Sequence, residues 1–232
     1  MTRETLDKKI LSLKEDVVIL GSMVKTAILG SVEALRIRDL EKSKHLYVGD
    51  TQINKKRFEI ENECMIVIAT QQPMAGDLRI LSSVIEVATE LERMGDYAKG
   101  IARINLMIGK EELVKPLIDI PKMALIATDM LDRAIQAFVN ADAETAYSIP
   151  NDDEQVDELF NRVNRDLITL MIDNRASIEH SNHLQWAAHN IERLADRVTN
   201  ICERTIFVAT GEIYELEESD DEFNAFMESQ QI

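Results

Sequence analysis

Leu91-Glu-Arg-Met-Gly-Asp96 and Ile191-Glu-Arg-Leu-Ala-Asp196 decide how the rest of this chain reads. They lie one hundred residues apart, and the same offset places Ala88 over Ala188 and Ile101 over Ile201. Further upstream an offset of 103 aligns Asp50-Thr-Gln-Ile-Asn54 with Asp153-Glu-Gln-Val-Asp157, and Asp39 with Asp142. A three-residue difference near the turn between a second and a third helix accounts for the change. Agreement at this many positions describes a duplicated unit.

Working outward, the apolar spacing is helical almost throughout. Ile10, Leu13, Val17, Leu20, Val24, Ile28, Val32 and Leu35 form one stripe of a helix over about 3–38. A second helix runs over about 40–70, and a third ends near Ile108 at Gly109, with Asp77 as its expected cap. Residues 110–121, holding two of the four prolines, read as the only true linker. Helices over about 122–140, 142–174 and 177–210 follow, ended by Gly211. Pro150 falls inside the fifth and should kink or divide it, because its ring removes an amide donor and clashes with the preceding turn. The expected architecture is all-α: a tandem repeat of two three-helix bundles packed side by side. The first repeat covers 1–112 and the second 120–211, while 212–232 forms an acidic tail read as disordered.

Composition excludes several functions. Residues 212–232 carry eight acids and no Lys or Arg; the remaining 34 acids against 26 bases leave the body at −8. Nucleic acid and anionic membrane faces would repel such a surface, since phosphate binding needs clustered cations. Cys64 and Cys202 are isolated thiols, which fits a reducing compartment. The N-terminus is too charged for a signal peptide, and Val17–Val24 is too short for the about 20 residues that span a bilayer. A cytoplasmic location and no direct membrane insertion are therefore expected.

In the third helix, Glu92 and Asp96 fall roughly 100–140° from the buried Leu91, side by side on the bundle flank. Glu192 and Asp196 repeat that placement. Carboxylates at i,i+4 repel unless positive charge lies between them. Lys99 and Arg103 supply it for the first pair, whereas the matching positions of the second are Thr199 and Glu203. A cation held by oxygen ligands is the alternative source of charge. Asp50, Asp153 and Asp157 add candidate ligands from the second-helix motif. Against this, acids following Pro150 are also favoured by the dipole of a helix start, and charge runs are often solvated faces. No Glu-x-x-His pair, P-loop, GxGxxG or GxSxG occurs, so di-iron oxidation, nucleotide binding and nucleophilic catalysis lack support.

Gln72-Pro-Met-Ala-Gly-Asp-Leu-Arg79, Glu90-Leu-Glu-Arg-Met-Gly-Asp96, Asn190-Ile-Glu-Arg-Leu-Ala-Asp196 and Asn200-Ile-Cys-Glu203 together resemble the PhoU family. These are phosphate-transport accessory and regulatory proteins, and the resemblance covers roughly residues 5–212. It implies the side-by-side bundles, a cytoplasmic location and a homodimer. It also implies negative regulation of phosphate-starvation signalling, through a phosphate ABC transporter ATPase subunit and a phosphate-sensing histidine kinase. Some members of the family bind multinuclear iron or zinc clusters at such motifs. The resemblance thus implies Fe, Zn or Mn ions at Glu92 with Asp96 and Glu192 with Asp196, supported by Asp50, Asp153 and Asp157. This chain departs from the pattern where Asn54 stands opposite Asp157, leaving the first site one charge poorer. Pro150, one turn before Asp153, threatens to displace the second-helix ligands of the second half. An adaptor without catalytic residues is the leading reading. A metal-cluster-binding or metal-buffering helical protein is the alternative, and a ligand-free scaffold is third.

Overall fold

The computed structural model describes residues 3–213, 215 and 216. Among these there is no strand, and the helices are α1 (Arg3–Ile37), α2 (Leu40–Gln71), α3 (Ala75–Ile108), α4 (Asp119–Asn140), α5 (Ala143–Ser148), α6 (Asp153–Asp173) and α7 (Ile178–Thr210). Pro150 does divide the expected fifth helix: a 3-10 turn over Ile149–Asp152 separates α5 from α6. The expected tail lies almost wholly outside the described residues. Leu216, just inside them, donates its backbone N–H to Glu203 Oε1 at 2.8 Å.

The duplication extends to the turns. Arg38 and Ala141 both take positive φ, at 60° and 52°, and each is followed by an aspartate that caps the next helix. Asp39 accepts from the Lys42 N–H at 2.9 Å and Asp142 from the Thr145 N–H at 3.1 Å, satisfying amides that have no partner inside the helix. In the first repeat Asn105 secures this turn from α3. Its buried amide donates to Ala34 O and Ser43 Oγ at 2.9 and 2.8 Å.

Two boundaries differ from the sequence expectation. Asp77 is not the cap of α3; Met74 holds that position without a side-chain bond, and Asp77 is the third helical residue. Its carboxylate is instead clamped by the Arg3 guanidinium at 2.5 and 2.9 Å. α4 begins at Asp119 rather than near 122, because Pro121 falls within its first turn, where a missing N–H costs no helical bond.

Helices α1, α2 and α3 form one unit and α4 to α7 the other, joined by α1 against α4 and α3 against α7. Along α3 and α7 the cross-contacts run Glu86–Arg204, Glu90–Asn200 and Gly100–Asn190. Each step forward on one helix is matched by a step back on the other, so the two repeats meet about a pseudo-twofold at Gly95 and Ala195. Across the α1–α4 seam, a Cβ on Gly21 would lie 2.1 Å from Ile135 Cδ1, so a larger residue there would force the Ile135 side chain to move. One 18-residue window of α1 is apolar enough for a membrane span, at mean hydropathy 1.6. Its Leu13, Val17, Leu20, Val24 and Ile28 are nevertheless all buried in the protein core.

Candidate functional site

Each repeat brings its acidic motifs together where the second and third helices of the unit meet. In the first repeat, Asp50 projects from α2 into the flank of α3, with only 2% of its side chain exposed. Gly95 permits that approach: a Cβ there would lie 3.0 Å from Ile53 Cγ2 and 3.6 Å from Asp50 Oδ1. Asp50 Oδ2 accepts from Lys99 Nζ at 2.7 Å and from Asn54 Nδ2 at 3.4 Å. Lys99 also lies 3.7 Å from Asp96 Oδ1 and 5.6 Å from the centre of the Tyr47 ring. The hydrogen bond to Asp50 holds its ammonium charged, raising it above the ordinary lysine value.

Glu92 completes this group. Burial lifts its carboxyl above the usual range, and repulsion from Asp96 and Asp50 adds to the effect. Arg57, from α2, opposes the rise; it is paired to Glu61 at 2.6 Å and lies 3.4 Å from Thr89 Oγ1. Spacing along α3 alone points to Arg103 as the second basic neighbour, and the structure gives that place to Arg57. Beside Lys99 a groove of about 340 Å³ opens between α1 and α2, walled by Met23, Leu46 and Ala98 and floored by Asp50.

The second repeat places Asp153 at the start of α6, with Asp157 one turn later and Glu192 and Asp196 on α7. Asp153, one turn after Pro150, is 6% exposed against 3% for Asp50. Glu192 is raised first by burial, then by Asp196, with a smaller push from Asp157. Its Oε2 lies 3.0 Å from His189 Nδ1, three residues earlier, in the reverse order of a Glu-x-x-His pair. At the positions of Lys99 and Arg57 stand Thr199 and Phe160, and the Phe160 ring packs 6.0 Å from that of His189.

The two groups share one backbone plan and differ in the side chains around it. The first has three carboxylates flanked by Lys99 and Arg57; the second has four carboxylates and a histidine. Among the described residues, no three His, Cys, Asp or Glu side chains converge as metal ligands. In the first repeat the reason is visible, since the Lys99 ammonium occupies the space between Asp50 and Asp96. In the second repeat Thr199 stands at the matching position, and its acids do not converge as ligands either.

The family model for the PhoU domain matches this chain twice, over residues 17–104 and 120–205. The chain belongs to the PhoU family. The two matches fall on the two helical units, so the internal duplication is a duplication of the PhoU domain itself. The phosphate-specific transport system accessory protein PhoU homolog of Aquifex aeolicus is 33% identical over 208 residues, covering 90% of this chain and 94% of that protein. The homolog from Streptococcus pneumoniae is 31% identical over 214 residues, covering 92% and 99%. The crystal structure of the phosphate transport system regulatory protein PhoU from Streptococcus pneumoniae superposes with a TM-score of 0.84, at 30% identity over 91% of this chain and all of that one. PhoU from Pseudomonas aeruginosa gives 0.83 at 27% identity, over 89% and 99%.

Proposed function

We propose that this chain is a cytoplasmic negative regulator of phosphate uptake and phosphate-starvation signalling. It acts as an adaptor between the ATPase subunit of a phosphate ABC transporter and a phosphate-sensing histidine kinase, and works as a homodimer. The observation that carries this reading is similarity along nearly the whole chain to accessory proteins of phosphate-specific transport. The physical character of the molecule suits the role. It offers a helical body with an acidic motif in each repeat, and its charge of −16 disfavours direct action on DNA. An acidic surface complements basic partner surfaces and speeds encounter with them. No catalytic role belongs to this reading. Iron, zinc or manganese at the acidic motifs would supply fixed positive charge that organises such a surface.

Titration of the purified chain against the transporter's ATPase subunit, followed calorimetrically, tests the adaptor role. A saturable complex is expected, weakened at least about tenfold by Glu192→Ala with Asp196→Ala, which corresponds to roughly 1.4 kcal/mol. Circular dichroism of that variant should be unchanged. No heat of binding to either the ATPase subunit or the kinase would end the adaptor reading.

A further inference from the structure

We infer that residues 217–227 dock on α7 of the same chain: the acids of 217–222 lie along a row of arginines, and Phe223, Phe226 and Met227 cover Trp186. This contact requires neither the adaptor role nor a bound metal.

Trp186, Asn190, Arg193, Arg197, Asn200 and Arg204 succeed one another at i,i+3 and i,i+4, so they form a single row down α7. The row is one wall of the seam with α3. There Glu90 lies 3.4 Å from Arg197 and 2.7 Å from Arg93, and Glu86 pairs with Arg204 at 2.6 Å. Arg93 and Arg193 are both exposed, and the Arg193 guanidinium lies 6.0 Å from the centre of the Tyr97 ring. Four arginines thus meet two glutamates on this face, in a chain whose formal charge is −16. At its far end the row turns apolar. Trp186 is 59% exposed there, and Met107, two turns beyond Gly100 on α3, is 56% exposed.

The chain leaves α7 in the direction of this row. After Gly211 it turns back, and Leu216 lies level with Glu203, two turns before the helix ends. Its N–H bonds Glu203 Oε1 at 2.8 Å, and its side chain packs against the core. Glu203 is the neighbour of Arg204, where the row begins. From Glu203 back to Trp186 the helix covers about 26 Å. Extended chain from Leu216 reaches about 24 Å at Phe223 and about 34 Å at Phe226, enough to arrive at the tryptophan. Residues 217–232 lie outside the described residues, and their sequence matches the row in order. Glu217-Glu-Ser-Asp-Asp-Glu222 comes first and Phe223-Asn-Ala-Phe-Met227 second, as the row passes from arginines to Trp186. Opposite charges set the register of such a contact, and apolar burial over the indole holds it. A tethered segment acts at about millimolar effective concentration, so modest pairing suffices.

Trp186 is the only tryptophan in the chain, so its fluorescence reads the contact directly. Acrylamide quenching is compared in four full-length proteins: the wild type, Phe223→Ser/Phe226→Ser/Met227→Ser, Arg193→Glu, and Arg193→Glu with Asp220→Lys/Asp221→Lys. Circular dichroism checks that helicity is equal. The tail variant and Arg193→Glu should be quenched at least about twofold more steeply than the wild type, as release of a majority docked state requires. The charge swap should restore the wild-type slope. Equal slopes for the wild type and the tail variant would overturn the inference, and so would an Arg193→Glu effect that the swap does not repair. Protection that disappears on dilution would overturn it too, by giving the tail to a second copy of the chain. If Arg193→Glu unfolds, the tail variant, which alters no residue of the helical body, decides alone.

Discussion

Glu90 Oε2 on α3 accepts from Asn200 Nδ2 on α7 at 3.1 Å, joining the two repeats across their pseudo-twofold. Arg197 reaches the same oxygen at 3.4 Å, and Arg93 pairs with the other at 2.7 Å. Only 12% of the Glu90 side chain is exposed, so its charge is neutralised by protein more than by water. Glu90→Ala should therefore destabilise the fold by about 2 kcal/mol, a usual loss for charged hydrogen bonds with little solvent to replace them. Urea unfolding monitored by circular dichroism measures this, and an unchanged midpoint would show that the seam is held by apolar packing alone.

Ala141 sits at φ 52° in the turn that leads into the Asp142 cap. A side chain with Cβ is strained there, and glycine is not. Ala141→Gly is expected to raise stability by roughly 0.5–1 kcal/mol, against the usual loss on introducing glycine. Thermal unfolding provides the comparison, with Ala143→Gly, inside the following helix, expected to move Tm the other way.

The Glu192 carboxyl is held above its ordinary value by burial and by Asp196 and Asp157. Its folded form thus binds the proton more tightly than the unfolded chain does. That contribution is complete at low pH and is lost as pH rises through the folded value. In chelator at pH 7, Glu192→Gln should be more stable by roughly 0.3–0.5 kcal/mol, the size of a screened i,i+4 repulsion. Below about pH 4 both forms are neutral and the difference should vanish. Denaturant titrations across pH 4–8 read this directly; a constant offset would mean that ionisation of Glu192 is not its source.

Cys64 and Cys202 are both fully enclosed, and burial pushes their thiols up to about 12. Only the thiolate reacts with disulfide reagents. The native protein should consume almost no Ellman's reagent at pH 8, and two equivalents once unfolded in urea. Rapid reaction of the native form would show that these core positions open frequently.

Much of this architecture is legible in the sequence. The α1 stripe, the Gly109 and Gly211 stops and the match of Asp39 with Asp142 each record a local rule of helix periodicity or capping, and the structure follows them. Asp77 misleads because its residue type suits a cap, while its actual partner, Arg3, comes from the far end of the unit. The same limit governs the site. Helical spacing places Lys99 near Glu92 and Asp96, but its shortest bond is to Asp50 on another helix. That pairing depends on the axial register of α2 against α3, set by Gly95 facing Ile53, and no single-helix projection contains it. Arg57 escapes notice for the same reason, although it follows Asp50 by two helical turns on one face. The comparison of Lys99 with Thr199 is legible; that the first repeat thereby neutralises a buried aspartate requires the packed helices.

The regulatory role is tested most directly by a phosphate-starvation reporter in cells that lack this chain, grown with abundant phosphate. The reporter should switch on in those cells and fall silent when the wild-type chain is restored, with Glu192→Ala/Asp196→Ala restoring it incompletely. A reporter that stays silent without the chain would contradict its assignment as a negative regulator of phosphate-starvation signalling.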